Sequence, residues 1–276
     1  MRDLSRDSEG SEFGPDELAD AIVDAATRFC ALIQLVGDPS ATSPQTPDWT
    51  AAELIHHVTT FPVHFDELMD GNASFAPTAL DLGDLNASNL AYLAEASLAD
   101  CEATIREGIG SFADRVRQSP VGDGPIMYHG TTPMTIRQLA GFCIGEHEMH
   151  GIDLAAVVNR KWTIPAPSAA AFLHAGVSTT LPNWIDPAAA KDHCGRYEIL
   201  LRGGLGRLRV HFDDGRVVEP DEPWKPETRL VADAPTLMRI IYGRQSQWSA
   251  IARGQLLAYG QRPWRALTLA SKILPI

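Results

Sequence analysis

Residues 135–154 read TIRQLAGFCIGEHEMHGIDL. Pro133 precedes them, Thr135 suits an N-cap, and Ile136, Leu139, Phe142, Ile144, Met149 and Leu154 recur as in one long helix. Within it, Glu146-His147-Glu148-Met149-His150 is the densest cluster of ligand-type side chains in the chain. Glu146 and His150 are four residues apart, which places them on one helix face, about 40° apart around the axis. Both can therefore reach one metal ion, while His147 and Glu148 point elsewhere. The string is not the zincin H-E-x-x-H motif. It has one intervening residue too few, which turns its two histidines about 300° apart.

Three more helical segments precede this one. Pro15, followed by Asp16 and Glu17, suits a helix start, and Leu18, Ile22, Ala25, Ala26, Phe29, Leu32 and Ile33 continue it until Gly37 and Pro39. Asp48-Trp49-Thr50 opens a second helix bearing Leu54, Ile55, Val58, Phe61 and Phe65, which Pro62 is expected to kink or divide near Thr59. A third is predicted from about Asn86 to Gln118, weakened in its middle by Gly108 and Gly110. Four long amphipathic segments predict a four-helix bundle.

After Lys161 the texture changes. One more helix is predicted between Ser168 and Trp184. It is followed by short alternating runs at 197–201, 208–212 and 216–218, the last two joined by an Asp213-Asp214-Gly215 hairpin turn. Thr228 to Val231 reads as a strand, and Ala234 to Tyr242 and Trp264 to Ile273 as helices. The expected fold class is α+β in two domains: residues 1–14 a flexible tail, 15–161 the bundle, and 162–276 a small α+β domain.

The 276 residues carry 35 acids against 23 bases, for a net charge of −12, which argues against a nucleic-acid partner. With 45% hydrophobic residues, the chain can bury a real core. It has no run of 18 apolar residues and no apolar signal core near Met1, so a cytoplasmic protein with no membrane partner is expected. Cys30, Cys101, Cys143 and Cys194 contain no C-x-x-C pair, and the first three sit in apolar stretches suited to core packing. The five tryptophans of the C-terminal half (Trp162, Trp184, Trp224, Trp248 and Trp264) are expected to pack in the core or between domains. His129 is expected to be a loop histidine, with the mouth of a pocket as its other reading.

For a third ligand beside Glu146 and His150, the second helix offers His56, His57 and His64. His57, between Ile55 and Val58, is expected to face inward. His64 is seven residues on, nearly on the same face, and His56 reads as a surface histidine. A tripod of two imidazoles and a carboxylate leaves coordination positions open, as a catalytic metal requires.

These residues also carry a resemblance. Pro47-Asp48-Trp49-Thr50-Ala51-Ala52-Glu53-Leu54-Ile55-His56-His57-Val58 resembles the P-x-W-T-x-x-x-L-x-x-H-L signature of the mycothiol-dependent maleylpyruvate isomerase family, in the DinB superfamily. Glu146 to Leu154 resembles that family's R-E-x-E-x-H-H-x-D-L segment, with Gly145 and Gly151 where the family has arginine and a second histidine. The C-terminal half, through Tyr242-Gly243-Arg244 and Ala252-Arg253-Gly254-Gln255-Leu256, looks like the sterol-carrier-protein-like domain that often follows the bundle.

The resemblance implies a divalent ion, usually zinc, on His57, Glu146 and His150, with His64 as the fallback ligand. It implies an enzyme that activates the low-molecular-weight thiol mycothiol as a metal-bound thiolate, for attack on a small-molecule electrophile. The outcome would be S-transfer, thiol conjugation or exchange, or cis–trans isomerisation of the maleylpyruvate type. No protein side chain beyond the metal centre is needed as a catalytic group. Arg244 and Arg253 are the candidate clamps for a substrate carboxylate. Two other classes stand beside this one: a non-catalytic binding protein for an apolar ligand, and a metal-dependent hydrolase on the same tripod.

Overall fold

Reciprocal capping starts the helices that matter most. Thr50 Oγ1 accepts the Glu53 backbone N–H at 3.2 Å while the Glu53 carboxylate accepts the Thr50 N–H at 2.7 Å. Thr135 and Gln138 repeat the exchange at 3.3 and 2.7 Å. Each box satisfies donors that a helix start leaves orphaned.

The computed structural model describes residues 13–71, 82–119, 126–129, 132–220 and 222–274. The tail expected at residues 1–14 lies almost wholly outside them. Two compact units result, Phe13–Ile164 and Pro165–Ile276. The layout is α+β.

The N-terminal unit runs α1 (Pro15–Ile33), β1 (Thr42–Ser43), β2 (Thr46–Thr50), α2 (Ala51–Met69), α3 (Leu82–Leu93), α4 (Leu98–Gln118), β3 (Ile126–His129), β4 (Thr132–Met134) and α5 (Ile136–Val157). The four short strands form two antiparallel pairs. α1 and α2 each pack against both α4 and α5. Leu18, Ile22, Phe29, Leu54, Ile55, Ile105, Phe112 and Leu139 form the core between them. Each such side chain contributes about 1.5–3 kcal/mol when fully buried.

Three expectations change here. The third helix is two helices, α3 and α4, because Ser97 caps a new start by accepting the Asp100 N–H at 3.1 Å. Apolar spacing carries through from Leu93 to Leu98 and hides that break. Trp49 belongs to β2, and α2 begins one residue after Thr50. Pro62 does not divide α2, which runs unbroken past it. The proline ring faces Gly108 of α4, where a Cβ would stand only 2.5 Å from Pro62 Cβ. Gly108 is thus the notch that admits the proline.

In the C-terminal unit a continuous helical stretch, 166–184, passes from α-helix through one wide π-type turn to a tight 3-10 end. The strands β5 (Gly195–Leu201), β6 (Arg207–Asp213), β7 (Arg216–Val218), β8 (Thr228–Ala232) and β9 (Leu256–Gly260) lie in the order β7-β6-β5-β8-β9. β5 is parallel to β8, and the other pairings are antiparallel. Asp214 and Gly215 take φ of 47° and 78°, the two left-handed residues of a tight hairpin turn. Tyr197, Ile199, Leu208, Val210, Phe212 and Leu230 alternate onto one buried face. Helices Ala234–Ile241 and Gln247–Ala252 complete the unit. The helix expected from Trp264 to Ile273 is instead two 3-10 turns, Pro263–Thr268 and Ala270–Lys272, begun by a proline. Trp248 and Trp264 are 59% and 63% exposed, not packed in a core. No helix among the described residues is long and apolar enough to cross a membrane.

The notch can be tested directly. Gly108→Ala gains about 1 kcal/mol of helix propensity but forces Pro62 or α4 to move, at about 1–3 kcal/mol for overpacking. In urea unfolding it is expected to be destabilising or neutral. Gly110→Ala, whose Cβ would meet nothing within 4 Å, is expected to be stabilising by about 0.5–1 kcal/mol.

Candidate metal centre

α5 is buried on nearly every side, so its polar residues must find partners inside the protein. Glu146 and His150 lie one turn apart, with His150 Nε2 3.3 Å from Glu146 Oε2. Across from them α2 presents His57, whose Nε2 is 3.9 Å from the same oxygen. The two imidazole rings meet edge to face, with centroids 4.9 Å apart. One donor atom from each of His57, Glu146 and His150 lies within 4.8 Å of the other two. The histidines are buried, and the Glu146 side chain, 18% exposed, forms the edge that solvent reaches.

Two aromatic rings frame the cluster. Trp49, from the strand before α2, lies 4.7 Å from the His57 ring and 6.2 Å from that of His150. Phe61 meets His57 edge-on at 4.8 Å and stacks with His150 at 6.5 Å. Behind His150, Asp153 is fully buried and sets Oδ2 3.4 Å from Nδ1. A carboxylate behind a ligand imidazole fixes its tautomer and ring orientation. Asp153 is a site residue that the ligand pattern of His57, Glu146 and His150 does not point to. Its i+3 spacing from His150 was the available signal.

The two imidazoles carry opposite charge preferences. Burial, reinforced by His150, drives His57 down to about 3 and keeps it neutral. Burial opposes charge on His150 as well, but contacts with Asp153 and Glu146 outweigh it and raise that imidazole to about 9. His57 Nδ1 is buried with no hydrogen-bond partner among the described residues. Two imidazoles and a carboxylate form a borderline-soft donor set of the kind that zinc takes. Neutral His57 already offers a lone pair, so the residues present fit a divalent ion.

The other candidates fall elsewhere. His56 is buried, not on the surface, and donates from Nε2 to the Ala96 carbonyl at 3.2 Å. His64 is not among the three donors that converge. His147 is fully buried and donates from Nδ1 to the Cys143 carbonyl at 2.8 Å, within its own helix. Glu148 is buried too, against Arg28 and Trp162. Cys30, Cys101 and Cys143 are buried free thiols, and burial pushes Cys143 well above the usual thiol range. Arg244 and Arg253 belong to the C-terminal unit. The first donates to the Tyr242 carbonyl at 2.9 Å, and the second ends the helix Gln247–Ala252 with its side chain exposed. The side chain of His129 lies outside the described residues.

Residues 19–155, which hold all three donors, match the mycothiol maleylpyruvate isomerase N-terminal domain. Residues 19–155 are thus a domain of that family. The crystal structure of the mycothiol-dependent maleylpyruvate isomerase matches with a TM-score of 0.55, covering 88% of this chain and 92% of its own at 14% identity. A histidine-to-alanine mutant of that isomerase matches with a TM-score of 0.56, over the same shares and at the same identity. At such identity the likeness establishes a shared fold. No curated protein matches the chain. Gly151, which stands where the family has a histidine, has a local cause: a Cβ there would come within 2.3 Å of the Trp162 ring.

The new role for His56 predicts a loss confined to stability. His56→Ala leaves the Ala96 carbonyl without its donor and is expected to lower the unfolding free energy by about 1–3 kcal/mol in urea titration.

Proposed function

We propose that this chain is a thiol-dependent enzyme of the maleylpyruvate isomerase kind, with a divalent ion held by His57, Glu146 and His150. Mycothiol is the thiol that family membership suggests. The observation that carries the reading is the convergence of three ligand-type donors from α2 and α5, one of them a buried neutral imidazole. An ion there would lower the pKa of a thiol that binds it and so supply a nucleophile at neutral pH. Zinc suits the donor set best.

The chain's own residues prepare that chemistry. Asp153 orients His150 and, with Glu146, holds a proton on it when no ion is present. Trp49 and Phe61 shield the imidazoles and leave the Glu146 edge as the approach for thiol and substrate. The cysteines of the N-terminal unit, Cys30, Cys101 and Cys143, are buried and unsuited as nucleophiles, so within this unit the reading takes its thiol from outside. The electrophile then gains a carbon–sulfur bond. As that bond forms, the substrate's double bond opens and its electrons pass to the conjugated carbonyl; rotation and expulsion of the thiolate restore the double bond with changed geometry, whereas a proton taken up by the adduct leaves the sulfur attached.

Purified protein is expected to hold about one zinc per chain by elemental analysis. His57→Ala and Glu146→Ala should lose it while keeping the helical circular dichroism, and turnover of a maleylpyruvate-type substrate should require added thiol. Metal retained in both variants would overturn the ligand assignment. The pH dependence has a definite sign. Below about 9 His150 carries a proton that an incoming ion must displace, so uptake releases about one proton. Apparent zinc affinity is then expected to rise roughly tenfold per pH unit between about 6 and 8.

A second reading has its own observation. The C-terminal unit holds a cavity of about 300 Å³ lined by aliphatic and aromatic side chains, among them Leu173, Ile199, Val210, Phe212, Leu230 and Ile240. A concave, solvent-accessible pocket lined mostly by apolar side chains is the usual form of a small-ligand site. We propose that this unit binds a small uncharged apolar ligand. Titration with N-phenyl-1-naphthylamine should show saturable binding at one site, abolished by Val210→Phe and unaffected by His57→Ala. Fluorescence that never saturates would overturn it.

A further inference from the structure

The face of α5 opposite Glu146 and His150 carries a buried charge that the proposed chemistry does not use. Glu148 lies two residues from each of these donors, hence about 200° around the helix. It is 0% exposed. Its Oε1 accepts a hydrogen bond from Arg28 Nη2 of α1, and its Oε2 accepts from Trp162 Nε1 at 2.8 Å. Arg28 is itself held: it donates to Asp24 at 2.8 Å and to the Thr163 carbonyl at 3.4 Å, and it stacks 4.5 Å over the Trp162 ring. The same ring occupies the space where a side chain at Gly151 would stand. Phe29, next to Arg28 on α1, meets His147 edge-on at 6.1 Å.

We infer that Glu148, with Arg28 and Trp162, is the positioning element that aims the Glu146/His150 face of α5 at His57. This rests on the metal reading proposed above. A side-chain atom stands about 5–6 Å from a helix axis, so a rotation of about 20° would carry it about 2 Å. Metal–ligand distances tolerate only about 0.2 Å. Apolar packing alone leaves a nearly all-buried helix free to settle into small rotations. A carboxylate gripped on both oxygens by partners from two different segments does not. Replacing a buried ion pair by apolar residues often costs no stability, which makes specification of register the better account of its presence. Glu148 touches neither thiol nor substrate and acts through its neighbours on the helix.

Cobalt(II) titration of the ion-free full-length chain tests this, read by visible absorption and by dissociation constant. Glu148→Gln keeps the shape but removes the charge that holds Arg28. Trp162→Phe keeps an aromatic ring at that position and removes one donor. Both are expected to keep the helical circular dichroism, to bind Co²⁺ about 10–100-fold more weakly, and to show an altered visible band. If Glu148→Gln fails to fold, Trp162→Phe decides the matter. Variants that melt earlier yet keep the wild-type affinity within about twofold and the wild-type band would overturn the positioning role alone. A wild-type chain that takes up no Co²⁺ would overturn the metal reading, and the positioning role with it.

Discussion

A helix buried on nearly every side can carry charge only where each charged group meets a partner. α5 is such a helix, and much of the N-terminal unit is arranged around that constraint. Its two faces make opposite demands. On one, Glu146, His150 and Asp153 satisfy one another and meet His57 of α2. On the other, Glu148 draws in Arg28 from α1 and Trp162 from the segment after the helix. Between them, His147 turns back on its own helix to the Cys143 carbonyl. Losing Arg28 would leave the Glu148 carboxylate buried with the Trp162 donor but without its cation.

The candidate centre therefore combines rigidity with an imbalance of protons. His57 is kept bare by burial, whereas His150 is kept charged by two carboxylates. Without an ion, the proton on His150 offsets part of the charge of Glu146 and Asp153. With an ion, that positive charge is replaced by a larger one at the same place. On the proposed reading, proton and metal compete for one site.

Much of this was legible in the sequence, for definite reasons. The i,i+4 spacing of Glu146 and His150 is a property of any helix, and Thr135 and Pro133 mark where this one begins. The Asp213-Asp214-Gly215 turn was legible because its backbone needs left-handed residues. Helix separation at Ser97 was not, since apolar residues keep their period across the gap and only the cap reveals it. The division expected at Pro62 does not occur: the proline's effect lies within its own helix, where it removes one hydrogen bond and crowds the carbonyl four residues back, and α2 carries that cost without breaking. His56 was assigned to the surface from its angle to His57, but α4 and the turn before it cover that side too. β9 was missed because its Leu257 and Tyr259 are half exposed, which weakens the alternation. Asp153 and Trp49 join the site through contacts that no single helix period displays.

The Pro62–Gly108 contact also has an evolutionary side. Each residue is unfavourable alone: a proline within a helix and a glycine within a helix both weaken the segment that holds them. Together they let α2 and α4 approach closely at a point five residues beyond His57. Fitness at the two positions is therefore epistatic. A larger residue at 108 is better tolerated once 62 has changed, and relatives that lose one member of the pair should tend to have lost the other. The depth at which α2 sets its histidine thus depends on two residues at once.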